Sequence, residues 1–106
     1  MKKILILLIL ILCGCNSNKL DLNKIMEENQ YIIIDVRTKD EYLESHVIDS
    51  INIPYDEIDE TIDKSKVILV YCKSGKRSEI AYNKLKTLGY EVYDLGSFDT
   101  IDLPKE

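Results

Sequence analysis

The chain has 106 residues, 45% of them apolar and 31% charged, with 14 Lys and Arg against 19 Asp and Glu. That length suits one domain rather than two, and the composition excludes a disordered polymer or a collagen-like repeat. A formal net charge of −5 and a sequence pI near 4.9 exclude a general nucleic-acid binder, which needs a basic footprint.

Lys2 and Lys3 open the chain, and Ile4 to Leu12 is an unbroken apolar run. The run falls short of the ~20 apolar residues a spanning helix needs and fits the apolar core of an export signal. Leu12-Cys13-Gly14-Cys15, followed by polar Asn16, Ser17 and Asn18, resembles a bacterial lipoprotein lipobox, with Cys13 where Ala or Ser is usual. The resemblance implies that residues 1–14 are a signal peptide and that Cys15 carries lipid such as palmitate. Residues 15–20 would then be a tether and 21–106 a domain. That domain would be anchored to a membrane of the bacterial cell envelope on its extracytoplasmic side. The alternative for this stretch is a buried apolar helix or strand.

Loss of Lys2 and Lys3 would take 14 basic residues to 12 against 19 acidic, a net charge near −7. Cys13 would leave with the signal and Cys15 would be occupied. Cys72 would then be a lone thiol in an exported domain, either an intermolecular bridge or a reactive group.

Leu22, Ile25 and Met26 share one face and predict a helix over 20–28. Residues 31–36 are mostly β-branched, as in a strand buried on both faces of a parallel sheet. Thr38 with Glu41 three positions on forms a capping-box pattern ahead of a helix over 39–44. Residues 50–53 predict a short strand stopped by Pro54. Ile58 and Ile62, four apart, predict a helix over 56–63. Residues 67–71 form a second apolar strand. A helix over 78–88 would bury Ile80, Ala81, Leu85 and Leu88, with Gly89 ending it. Residues 91–95 are the last strand. Apolar strands alternating with amphipathic helices indicate an α/β domain with a parallel sheet.

Such sheets place ligands at the carboxyl ends of their strands. Two strands run there into polar motifs: Asp35-Val36-Arg37, and Cys72-Lys73-Ser74-Gly75-Lys76-Arg77-Ser78 leading into a helix. Successive amides in a Gly-containing turn can form an anion-binding nest, and the helix dipole adds partial positive charge. Lys73, Lys76 and Arg77 add formal charge. All three effects favour thiolate over thiol at Cys72 and attract a small anion. The bland reading is a buried packing cysteine, but a strand-end position followed by Lys and Ser argues against apolar burial. The chain's two arginines, Arg37 and Arg77, both fall at these motifs, which suggests a need for the planar fork. Arg37 could also pair with Asp40 or Glu41 on the surface.

The ordered set Asp35-Val36-Arg37, Glu41-Tyr42, His46-Val47, Ile51-Asn52-Ile53-Pro54, Tyr71 to Ser78 and Leu88-Gly89-Tyr90 resembles a single-domain rhodanese over residues 21–104. The resemblance implies a three-layer α/β/α fold around a mostly parallel sheet, and sulfur transfer through a cysteine persulfide. It assigns Cys72 as the sulfur-accepting nucleophile and Lys73, Ser74, Gly75 and Lys76 as the loop whose amides cradle the persulfide. Arg77 would be the anion-binding side chain, and Asp35 and Arg37 residues that order the site, with an Arg37–Glu41 pair as a structural contact. The partners implied are a small anionic sulfur donor such as thiosulfate and a thiol or cyanide-like acceptor, a protein acceptor included.

Ser45 and Asp49 stand where the family has Gly, and no tryptophan follows Gly96-Ser97-Phe98. His46, the only histidine, reads as structural rather than as a general base. One His and one free Cys cannot build a zinc site, and no dinucleotide fingerprint follows the first strand, so neither metal nor cofactor is expected. A persulfide carrier and a non-catalytic binding module are the alternatives in the same family. Cysteine phosphatases and arsenate reductases use a wider loop. The four residues between Cys72 and Arg77 make a ring of amides better matched to one sulfur than to a phosphate.

Overall fold

A computed structural model describes residues 20–106. The expected signal peptide of residues 1–14, the expected lipidation of Cys15 and the part of the expected tether before Leu20 lie outside the described residues. The elements, in chain order, are α1 (Leu22–Glu28), β1 (Tyr31–Asp35), α2 (Lys39–Glu44), β2 (Ile51–Asn52), β3 (Val67–Cys72), α3 (Lys76–Thr87) and β4 (Val92–Ser97). Single 3-10 turns follow β2 at Tyr55–Glu57 and β4 at Phe98–Thr100. The four strands are all parallel, in the order β2-β1-β3-β4.

The sheet has an apolar layer on each face because its central strands bury both sets of side chains. Along β3 the side chains alternate. Ile68, Val70 and Cys72 join Ile34, Ala81, Leu85 and Tyr90 on one face. Val67, Leu69 and Tyr71 join Ile33, Val47 and Ile101 on the other. α3 covers the first face, while α1 and the C-terminal segment cover the second, which gives the α/β/α sandwich. Since all four strands point the same way, Asp35, Asn52, Cys72 and Ser97 end at one edge of the sheet.

The capping box at α2 forms as the sequence predicts: Thr38 Oγ1 accepts from the Glu41 amide, and the Glu41 carboxylate accepts from the Thr38 amide. Gly89 follows α3 at φ +96°. Three details depart from the sequence pattern. Residues 56–63 form no α-helix. Asp59 accepts from the amide and hydroxyl of Thr61, and Asp63 from those of Ser65, so side chains take hydrogen bonds that a helix would need. Ile58 is buried and Ile62 half-buried from an irregular segment instead. α3 starts at Lys76, not Ser78, and its inner face is Ser78, Ala81 and Leu85, while Ile80 is 48% exposed. Cys72 is the last residue of β3 rather than the first of the loop.

Ser45 and Asp49 take the two family glycine positions differently. Ser45 has φ −169°, extended backbone that any residue adopts, whereas Asp49 has φ +72°. Asp tolerates this left-handed region better than most residues and less well than Gly. Asp49→Gly is expected to raise stability by up to about 1 kcal/mol, and Asp49→Val to lower it by more than that. Urea midpoints measure both, and equal midpoints for all three proteins would contradict the strain.

Candidate active site

The carboxyl edge of the sheet is organised by Asp35, a buried carboxylate with four donors around it. Arg37 approaches with its amide (2.9 Å to Oδ1) and with Nε and Nη2 (2.9 and 2.6 Å), and the Tyr71 hydroxyl donates to Oδ2 at 2.8 Å. Tyr71 in turn accepts from the Val47 amide at 3.0 Å and lies 3.3 Å from Ser50 Oγ. Arg37 Nη2 also donates to the Ser45 carbonyl, and Asn52 Nδ2 donates to the carbonyls of Asp35 and Arg37. The network joins β1, β2, β3 and the end of α2. The expected surface pairing of Arg37 with Asp40 or Glu41 does not occur, because Asp35 claims the guanidinium two residues away and out of water.

Burial pushes the Tyr71 hydroxyl up to about 12, with the charge of Asp35 adding to it, so the donor to Asp35 keeps its proton. Burial pulls the Arg37 guanidinium down and is the largest single effect, but the hydrogen bonds to Asp35 together with the charges of Asp35, Tyr71 and Glu41 outweigh it and leave the group raised. Phe98 lies over Arg37, with the guanidinium carbon 4.5 Å from the ring centroid, and stacks against Tyr71 at 5.8 Å. An aromatic wall thus stands beyond Gly96-Ser97 although the chain has no tryptophan.

Cys72 Sγ accepts from the amides of Gly75 (3.0 Å) and Ser78 (3.3 Å) and lies 3.5 Å from Ser78 Oγ. Ser78 Oγ donates to the Gly75 carbonyl at 3.1 Å. Gly75 caps α3 at φ +97°, a left-handed conformation that turns the chain sharply into the helix. The Lys73 carbonyl accepts from Ser97 Oγ at 2.7 Å, which ties the loop to the end of β4. That end is shifted by a β-bulge: Val70 pairs with Asp94 but Tyr71 with Gly96. Asp94 Oδ1 pins the bulge through the Gly96 amide.

Two of the loop's amides therefore face the sulfur. Among the described residues Lys73 and Lys76 have no ion-pair partner. The expectation that Cys72 escapes apolar burial fails, for the residue is 0% exposed and packs with Val70 and Ala81. As the last strand residue it points to the face that α3 covers, and the tight turn at Gly75 closes the loop against it.

Arg77 has a partner that the sequence reading assigned elsewhere. Its Nη1 and Nη2 donate to Glu41 Oε1 (2.8 Å) and Oε2 (3.1 Å), a fork-to-fork pair. The Arg77 fork, aided by burial-opposed bonds from Thr38, holds the Glu41 carboxyl at about 2, and Glu41 in turn raises Arg77, as does the charge of Cys72. Arg37 and Arg77 line one cavity of about 290 Å³ with Thr38, Tyr55 and Asp56.

His46 stacks on Tyr42 and donates from Nδ1 to the Tyr42 carbonyl at 2.8 Å, with Nε2 3.1 Å from Glu106, a structural placement. Three residues have roles that the sequence pattern does not assign: Glu41, expected as a cap and as a partner of Arg37 rather than of Arg77, Tyr71, whose hydroxyl no pattern announces, and Ser78, expected as a helix start.

A model of the rhodanese-like domain matches residues 18–101. Thiosulfate sulfurtransferase PspE of Escherichia coli K12 is 38% identical over 78 residues, which cover 68% of this chain and 75% of that one. Thiosulfate sulfurtransferase GlpE of Coxiella burnetii is 34% identical over 82 residues, covering 73% and 77%. The chain also spans 18% of a probable molybdopterin-synthase adenylyltransferase of Porphyra purpurea, at 35% identity. Among solved structures, "rhodanese with anions from E. coli" superposes with a TM-score of 0.67 at 35% identity, covering 72% of this chain and 96% of that chain. A rhodanese-related protein from Thermoplasma volcanium gives 0.64 at 30% identity, covering 76% and 81%.

Tyr71→Phe leaves the Val47 amide without a partner and removes one of the donors to Asp35 Oδ2, and is expected to cost about 1–3 kcal/mol in urea unfolding. The Glu41–Arg77 pair contributes stability above the ordinary carboxyl value of 4.5 and loses it as the pH falls toward about 2. Glu41→Gln is therefore expected to lower stability slightly near neutrality and to flatten the acid limb of the profile in that window, as urea midpoints measured against pH would show.

Proposed function

Because this chain belongs to the rhodanese-like domain family, we propose that it is a rhodanese-type sulfurtransferase acting through a persulfide on Cys72. It moves sulfane sulfur from a small anionic donor such as thiosulfate to a thiophilic acceptor: a small thiol, a cyanide-like nucleophile or a protein thiol. The observation that carries this reading is the lone thiol at the end of a central strand, with two amide N–H groups and a helix start directed at its sulfur.

In the first half-reaction the Cys72 thiolate attacks the outer sulfur of thiosulfate. A sulfur–sulfur bond forms to Cys72, the bond to the sulfonate sulfur breaks, and sulfite leaves with the electron pair. The Gly75 and Ser78 amides already donate to this sulfur and stabilise its negative charge, at no cost in reorganisation. Lys73 and Lys76 supply the cationic charge at the loop. In the second half-reaction the acceptor attacks the outer sulfur, and the electron pair returns to Cys72 as thiolate. Asp35 and Arg37 hold the strand ends and touch no reacting atom. Since the sulfur is covered, donor entry requires residues 73–77 to shift, against the Ser97–Lys73 and Ser78–Gly75 bonds.

That buried sulfur also favours a second reading, a persulfide carrier or a binding module without turnover. The order of basic start, apolar run and Leu-Cys-Gly-Cys supports an extracytoplasmic lipid anchor at Cys15. The test is mass spectrometry after thiosulfate treatment, joined to a thiosulfate:cyanide assay. The wild-type chain is expected to gain one sulfur atom and to turn over with ping-pong kinetics. Cys72→Ser is expected to lose at least about a thousandfold in rate. A persulfide without turnover supports the carrier, and an unmodified thiol supports the module.

A further inference from the structure

We propose that Glu41 is a built-in competitor for the anion site: its carboxylate occupies the Arg77 fork, and an oxyanion sulfur donor must displace it to be clamped. This rests on the sulfurtransferase reading and sets the donor specificity of that site.

The chain has two arginines, and Arg37 is committed to a carboxylate that is fully buried. Arg77 is the one whose place in the loop suits it to bind a donor anion, yet both of its terminal nitrogens are engaged. The engagement is chemically a mimic. A carboxylate presents two oxygens to a guanidinium as a sulfonate or sulfite does, so the two compete for one fork. The contrast in burial decides which pair can exchange. The Asp35 and Arg37 side chains are 0% and 6% exposed, while those of Glu41 and Arg77 are 27% and 28% exposed, and Arg77 lines the cavity of about 290 Å³. Arg37 lines the same cavity, but its fork is buried against Asp35, so the second pair is the one that exchanges with an anion from solvent.

Glu41 also has somewhere to go. Its Oε1 accepts from the Thr38 amide at 3.0 Å and the Thr38 hydroxyl at 3.1 Å, bonds that persist when Arg77 leaves. The displaced carboxylate therefore keeps partners and needs no new conformation of α2. An arrangement of this kind weakens ground-state capture of any oxyanion donor and assists release of the sulfite product, because Glu41 returns to the fork. A donor without an oxyanion group has no use for the fork and is not penalised.

Glu41→Gln is the informative variant, since Gln at this position keeps the capping box while removing the charge. Sulfate titrated calorimetrically into Cys72→Ser and into Cys72→Ser/Glu41→Gln reads anion capture without any turnover. The double variant is expected to bind sulfate about fivefold more tightly, the worth of one partly exposed fork-to-fork pair. In steady state, Glu41→Gln alone is expected to lower KM for thiosulfate by a similar factor, with kcat unchanged or reduced. Sulfate affinity that is equal or weaker in the double variant would overturn the proposal, as would a raised KM with a reduced kcat, which would make Glu41 a residue that merely aims Arg77. If wild type neither gains sulfur nor turns over, the sulfurtransferase reading falls, while the sulfate titration still decides whether Glu41 competes for the fork.

Discussion

A carboxylate with no exposed surface must be met by donors or it will not stay charged, and Asp35 is met by two from the Arg37 side chain, one from the Arg37 amide and one from Tyr71. These donors come from the segment just after β1 and from adjacent β3, and the Tyr71 and Arg37 groups then reach Val47, Ser50 and Ser45. A parallel sheet leaves its carboxyl edge without further ladder bonds. The Asp35 cluster replaces them, and so sets where β1 and β3 end relative to each other. Cys72 follows Tyr71 directly, so the sulfur inherits its position from a hydroxyl on the opposite face of the sheet. Breaking such a pair strands a charge out of water and costs several kcal/mol, which makes the cluster a brace rather than a participant.

The sulfur itself sits in a tension between activation and access. Period-two alternation along β3 sends Cys72 to the face under α3, among aliphatic side chains. Only the two amides of Gly75 and Ser78 and the Ser78 hydroxyl keep that environment polar. The left-handed turn at Gly75 makes this possible, since it brings the start of the helix back to the strand end within three residues. The bulge in β4 contributes on the other side by placing Ser97 opposite Cys72, where its hydroxyl holds the Lys73 carbonyl.

Electrostatically, the two arginines divide the work by burial. Both are held by carboxylates, but one pair is dry and the other wet. A dry pair is a structural element with no competing solvent. A wet pair is worth little and is open to exchange with an anion of the right shape. The net acidic chain therefore presents cationic charge at the loop mainly through Lys73 and Lys76, with Arg77 held in reserve by Glu41.

Much of this was legible in the residues. The apolar β-branched runs specified two strands buried on both faces, because only a covered parallel sheet accommodates them. Thr38 and Glu41 specified where α2 begins, because capping is local chemistry three residues long. The Cys72-to-Ser78 stretch specified a tight turn into a helix, since Gly75 supplies the one conformation that allows it. Residues 56–63 misled, because Ile58 and Ile62 suit a helix or a pair of anchors equally well, and the competing Asp59 and Asp63 turns are decided by small differences in local hydrogen bonding. What tertiary structure alone decided was partnership across distance. Arg77 meets Glu41 36 positions away and Tyr71 meets Asp35 at the same separation. Such pairs depend on strand register and on which face each side chain takes, and neither leaves a periodic trace in the chain. The same holds for the burial of Cys72, which follows from where the helix packs and not from the identity of its neighbours in sequence.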